Sequence, residues 1–286
     1  MRALAQLVEH RRRVVNDRVR ITNRLTSTLK NYFPHVLQWF QAKDTAVFCD
    51  FLSRWPTLKA AQLARRSPLE TFFRDHHVRS ADSIAKRLQA IKTATPLTSD
   101  AGVIAPNVVF VQALVSQLRV TLDALETFDH AIAQRAQSHP DFPLFQALPG
   151  AGPVFAPRLL VAFGEQRARY ASAAELQQYA GIAPVTERRG KTSWVHWRLQ
   201  CPQFVRQTCV EWAAESIRHA FWAQIYSQQQ RDKGKAHQAA VRALAFTWMR
   251  LLSRCWQERT PYDEATSLQA LARRGSSLIQ NLAKAS

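Results

Sequence analysis

Residues 184–198, PVTERRGKTSWVHWR, concentrate the side chains of this sequence that could do chemistry. Four cations, Arg188, Arg189, Lys191 and Arg198, stand against one anion, Glu187. Three hydroxyls, Thr186, Thr192 and Ser193, and one imidazole, His196, lie among them. Guanidinium and ammonium groups neutralise phosphates, and Gly190 lets the backbone approach a ligand closely. A hydroxyl could attack a phosphodiester if His196 took its proton, which makes Thr192 and Ser193 the candidate catalytic nucleophiles. A nucleophile also needs its developing charge stabilised, and the sequence locates no group for that. Hydroxyls in a polar loop are more often turn formers. The stretch reads as a loop that holds a polyanion, with cutting as the weaker reading.

Carboxylates add no second chemistry. Two-metal phosphodiester cleavage needs several of them converging on the ions. Here Asp44, Asp50, Asp75, Asp82, Glu165 and Glu175 are scattered, and no metal site is expected.

The residues from 144 to 164, LFQALPGAGPVFAPRLLVAFG, form a second candidate. A helix is expected to end at Leu148, with Gly150 and Gly152 in a turn that side chains would obstruct. A new helix begins near Pro153, and Pro157 is read as falling where helical N–H groups lack internal partners. Free amides at a helix start bind anions without reading base sequence. This is a helix-hairpin-helix pattern, with Arg158 beside it as a further phosphate contact. An ordinary helical hairpin without a ligand fits the same residues.

These segments need a scaffold, and the sequence has 286 residues to build one. Lys plus Arg number 39 against 21 Asp plus Glu, a formal charge of +18, which points to a polyanionic partner and above all to nucleic acid. No apolar run is read as approaching the roughly 18 residues that cross a bilayer, so no membrane partner is expected, and no secretory leader is read at the N-terminus. Cys49, Cys201, Cys209 and Cys255 form no C-x-x-C pair and read as buried cytosolic thiols. The expected location is the cytoplasm.

The fold expected is mostly all-α. Residues 1–33 carry Leu4, Leu7, Val8, Val14, Val15, Leu25 and Leu29 at helical spacing, and Pro34 ends the helix. Arg11, Arg12, Arg13, Arg18, Arg20 and Arg24 crowd its surface and are candidates to lie along phosphates. Residues 36–95 hold short helices, one capped by Ser67 with Pro68 and Glu70 behind it. Residues 95–106 read as a polar connector. A long helix over 107–136 repeats Val111, Leu118, Leu125 and Ile132 every seven residues, with Val115 and Leu122 at the second heptad position. That suits a coiled-coil arm or packing within one chain. Residues 138–143 mark a boundary before a second helical unit. Its last helix, 236–258, and Trp212, Trp222, Trp248 and Trp256 supply a core. The segments are therefore 1–35, a basic helix; 36–140, a helical arm; 141–272, a C-terminal domain; and 273–286, a weakly patterned tail.

Four long stretches now carry a resemblance: LPGAGPVFAPRLLVAFG, YAGIAPVTERRGK, WVHWRLQCPQFVRQTCVEWAAESIRHAFW and AAVRALAFTWMRLLSRCWQERTPYDE. Together they resemble the C-terminal transposase domain of the one-hundred-and-ten family of bacterial insertion sequences, the bridge-RNA-guided transposases. The N-terminal LVEHRRRVVNDRVRITNRLTSTLKNYFP is similar to the basic helix that follows the nuclease-like fold there. The resemblance implies a RuvC-like fold with four acidic ligands for Mg²⁺, and a serine that joins covalently to DNA. It also implies a structured guide RNA and a homo-oligomer. Two departures follow. The acidic tetrad would lie upstream of the basic helix with which this sequence opens, so the chain reads as truncated, with no cofactor of its own. The family's serine stands immediately before Gly-Lys, where this sequence has Arg189. The expectation is a DNA-binding insertion-sequence transposase impaired in cleavage; a non-enzymatic helix-hairpin-helix protein that binds DNA or RNA is the alternative.

Overall fold

A computed structural model of the chain describes residues 1–196, 198–273 and 275. Those residues are mostly helical. The helices are α1 (Arg2–Leu29), α2 (Val36–Trp39), α3 (Ala46–Arg54), α4 (Leu58–Leu63), α5 (Arg66–Asp75), α6 (Ala81–Thr93) and α7 (Ala101–Gln137). They continue with α8 (Phe142–Gln146), α9 (Gly152–Phe163), α10 (Ala173–Tyr179), α11 (Gln203–Ser216), α12 (Phe221–Asp232), α13 (His237–Glu258) and α14 (Glu264–Arg273). A short 3-10 turn spans Arg167–Arg169. Strands β1 (Val185–Arg189) and β2 (Thr192–His196) pair antiparallel. The chain divides into two compact units, one of His10–Asp129 and one of Met1–Glu9 with the residues from His130 on.

In the first of these units, Leu25 and Leu29 of α1 meet Phe48 and Phe51 of α3, Phe73 of α5 and Val111, Leu114, Val115 and Leu118 of α7. Phe40, Phe51, Trp55, Phe72 and Phe73 contact one another mostly edge-on or tilted, the geometry that ring quadrupoles favour. The heptad stripe of α7 therefore packs within the chain: Val111, Val115 and Leu118 are buried and Leu122 lies against the same core. Asp100 starts α7 by accepting the N–H of Gly102 at 2.8 Å. The helix begins six residues before the expected start at 107, and Pro106 lies inside it.

The apolar content of α7 needs a correction. No charged residue occurs from Ala101 to Leu118, and an 18-residue window reaches a mean hydropathy of 1.6, enough by length and composition to cross a membrane. Val111, Leu114, Val115 and Leu118 of this window are spent on the core just described, while Val109 and Phe110 stay exposed.

The second unit is built on tryptophan. Trp212, Trp222, Trp248 and Trp256 are each 2% exposed or less. Trp248 lies between the other two rings, 4.7 Å from Trp212 and 4.6 Å from Trp222. A buried indole N–H usually finds an acceptor; three of these four do, and Trp256 Nε1 has none among the described residues. Trp212 donates to the carbonyl of Pro149 at 3.0 Å, Trp222 to Tyr262 Oη at 2.7 Å and Trp248 to Ser216 Oγ at 2.8 Å. These bonds join α11 to α13 and to the turn before α9, and α12 to the segment between α13 and α14.

Other expectations shift locally. Helix α1 ends at Leu29 and its chain passes through turns before Pro34. Helix α5 starts at Arg66, so Ser67 lies inside the first turn and caps nothing; Arg66 instead bonds Glu70 at 2.5 Å. Pro157 falls in the second turn of α9, beyond the first four residues, and leaves the carbonyl one turn earlier without its helical donor. Cys49 and Cys209 are buried, but Cys201 and Cys255 are only partly so. Helix α14 was not expected, and its Glu264 accepts the backbone N–H of Trp222. The tail assigned to 273–286 lies outside the described residues except for Arg273 and Gly275.

Candidate nucleic-acid interface

The stretch that reads as a loop is a β-hairpin. Arg189 pairs with Thr192, leaving Gly190 and Lys191 as a two-residue turn. Gly190 has φ +61°, and Lys191 does not share that sign. A two-residue hairpin with a positive φ only at its first central position is the type II′ geometry, which takes glycine there. Apart from Val185, both strands are exposed on both faces.

Strand alternation sorts the side chains. Val185, Glu187 and Arg189 share a face with Thr192, Trp194 and His196; Thr186 and Arg188 share the other with Ser193 and Val195. On the first face Glu187 accepts the Trp194 indole N–H at 3.1 Å and lies 3.4 Å from His196 Nε2. The hairpin's one anion is thereby engaged midway along it. Arg188, Arg189 and Lys191 are exposed at the tip and form no ion pair with a described residue.

The same alternation separates the candidate nucleophiles from their candidate base. Ser193 is three residues from His196 and points to the opposite face. Thr192 shares the face of His196, but four residues of strand hold them about 13 Å apart. Glu187 and Trp194 surround His196, and neither hydroxyl does.

The other candidate binding residues fall elsewhere. Gly150 has φ +70°, and a Cβ there would lie 2.8 Å from His219 and 3.2 Å from Glu215. The turn around it is thus packed against the end of α11. Gly152 has φ +50° and open space around it, at the start of α9. Arg158 donates to Glu211 at 2.7 Å and to Thr208 at 3.3 Å, and its side chain is 12% exposed. It ties α9 to α11 beside Cys209, whose thiol burial pushes up to about 12. On α1, Arg11 forms a two-pronged pair with Asp129, at 2.5 and 3.0 Å. Arg18 lies 3.4 Å from Asp44, Arg20 bonds Asp17 at 3.0 Å, and Arg24 sits over the Phe110 ring. Arg12 is partly buried and Arg13 exposed, each with partners of its own.

Sequence spacing missed a cavity at the root of the hairpin, of about 380 Å³. Arg198 was singled out for its charge and lines it. Tyr226, Lys235, Arg242 and Phe246 line it too and were not singled out. They come from α12, α13 and the turn between them, and no local pattern joins them to residue 198.

Mg²⁺, which the resemblance implies, finds no fitting donors here. Among the described residues no three His, Cys, Asp or Glu side chains are placed to hold a metal ion. Several carboxylates are occupied by cations instead: Asp50 by Arg119, Asp129 by Arg11, Asp141 by Arg167 and Glu211 by Arg158.

Comparison with known families matches residues 143–228 to the Transposase IS116/IS110/IS902 family. Over that segment the chain is similar to this transposase family. The family segment runs from α8 through the turn, α9, the hairpin and α11 into α12. The chain is 28% identical over 282 residues to the mini-circle protein of Streptomyces coelicolor assigned as a transposase for IS117, covering 94% of this chain and 67% of that one. It is 27% identical to the 42 kDa protein of insertion element IS900 from Mycobacterium paratuberculosis, over 93% of this chain and 65% of that one. It is 26% identical to the 44.8 kDa protein of insertion element IS116 from Streptomyces clavuligerus, over 69% and 49%. The chain spans between half and two thirds of the length of these relatives.

Proposed function

We propose that this chain is the part of an insertion-sequence transposase that grips DNA, and that its own hairpin does not cut. By family resemblance it would act as a homo-oligomer, in recombination directed by a structured guide RNA. The observation that carries the reading is the hairpin inside the family segment. Its tip offers Arg188, Arg189 and Lys191 to solvent, while Glu187 is held mid-strand by Trp194 and His196. Exposed cations on a two-stranded ribbon can meet phosphates, and such a ribbon fits the major groove of duplex DNA.

Loss of cutting rests on two features. Arg189 occupies the place where the resemblance implies serine. Thr192 and Ser193, the nearby hydroxyls, stand apart from His196 by strand geometry. Supercoiled plasmid, Mg²⁺ and a family guide RNA test this together. The expected result is binding with no detergent-resistant protein–DNA adduct; an adduct formed by the unmodified chain overturns it.

A further inference from the structure

The cavity at the root of the hairpin has the make-up of a nucleotide site. Its volume of about 380 Å³ lies within the span of about 300–1,000 Å³ usual for small-ligand pockets. Its walls are apolar and aromatic: Ile182 on the approach to β1, Tyr226 on α12 and Phe246 on α13. Its polar lining is cationic, with Arg198, Lys235 and Arg242, and no acidic residue lines it. Arg198 Nε is buried without a hydrogen-bond partner. A buried donor left unpaired is costly, so an arriving acceptor has something to gain there. Lys235 is exposed and tethered to Gln230 Oε1 at 2.6 Å, which holds its ammonium near the mouth. Val195 and His196 of β2 also line the cavity, so a strand following the hairpin's cations would reach it.

We propose that this cavity takes one unstacked nucleotide of the bound nucleic acid, its base against Tyr226 and Phe246 and its phosphate on Arg198 and Lys235. Aromatic walls suit any base face, and cations suit the backbone. The cavity therefore selects single-stranded or locally opened nucleic acid over paired duplex. The inference rests on the reading of this unit as a nucleic-acid binder.

The test compares the full chain with three variants on a mixed-sequence single strand, on the matching duplex, and on a strand of abasic sites. Ala239→Phe fills the cavity from the first turn of α13. Lys235→Gln removes an exposed charge and keeps an amide that can donate to Gln230, and with its melting checked it serves even where the filled variant folds poorly. The double variant Arg188→Gln/Arg189→Gln addresses the hairpin tip alone. The expected result is that Ala239→Phe weakens single-strand binding about tenfold, the loss of one stacked base, and duplex binding less than about twofold. Lys235→Gln should lower the single-strand salt slope by about one, and the abasic strand should bind the unmodified chain about as weakly as the normal strand binds Ala239→Phe. Unchanged single-strand affinity in both cavity variants overturns the proposal. So does an abasic strand that binds as tightly as the normal one, or a free nucleoside monophosphate that binds the cavity without competing with the strand. Failure of the double variant to weaken either substrate, with the cavity effects intact, would strike the hairpin reading and leave the nucleotide site standing.

Discussion

Arg189 and Thr192 face each other across the turn of the hairpin, with Gly190 and Lys191 between them. A cation thus occupies the last strand position before the turn, where the family resemblance implies a serine. Arg189→Ser is expected to restore covalent attachment to DNA in a mixed assembly whose full-length relative carries carboxylates but has lost its own serine. Thr192→Ala and Ser193→Ala should leave that attachment unchanged. Gel analysis of detergent-resistant adducts checks both, and an adduct that vanishes with Thr192→Ala would return the nucleophile to the strand.

Arg158 belongs to the fold more than to the surface. Its guanidinium spans Thr208 and Glu211, and Glu211 is itself 41% exposed, so the pair is partly screened by water. Arg158→Ala is expected to lower stability by about 1–2 kcal/mol, seen as a lower denaturant midpoint. The salt slope of DNA binding should stay where it was, because no phosphate contact is lost.

Gly181 precedes the hairpin with φ +68°, and a Cβ there would collide with Cys201 Sγ and lie 2.8 Å from Cys201 Cβ. Gly181→Ala adds backbone strain to that collision and is expected to cost about 2 kcal/mol or more. Thermal melting measures the cost. Cys201→Ala in the same chain should return only part of it, since the positive φ remains.

Two buried thiols make the protein sensitive to alkali. Burial raises Cys49 to about 11 and Cys209 to about 12, from 9.0. Both raised values favour the protonated thiol in the folded state, so their contribution is complete below pH 9.0 and is lost as pH rises through 11 and 12. Each thiol should cost about 1.4 kcal/mol per pH unit inside its window. Urea unfolding at pH 8 and pH 10 measures the slope, and Cys209→Ala should reduce it, with the rest left to Cys49 and to Cys255, which burial also raises.

The parts legible in the sequence are those where one period dominates. The apolar repeat in α1 and α13, the four buried tryptophans and the heptad of α7 all mark faces that pack into a core. The same heptad could not say whose core it served, because an intramolecular and an intermolecular seam look alike in sequence. The hairpin was hidden by its own composition. Charge and hydroxyls in Glu187–Ser193 read as a loop, although a Gly-Lys pair between two five-residue runs is a hairpin signal. Roles of single arginines were also hidden. Arg11, Arg18 and Arg158 look like phosphate contacts until Asp129, Asp44 and Glu211 are brought beside them by packing. The cavity was hidden for a similar reason, since Arg198, before α11, and Phe246, on α13, reach one cavity only through the fold.

The central claim is that the hairpin tip, and not the paired arginines elsewhere, holds the DNA phosphates. Its most direct test is the salt dependence of duplex binding by the full chain and by Arg188→Gln/Arg189→Gln/Lys191→Gln. Each lost phosphate contact lowers the slope of log affinity against log salt by about 0.9. The triple variant is therefore predicted to lose about three in slope, with melting unchanged. A slope equal to that of the unmodified chain would contradict the account.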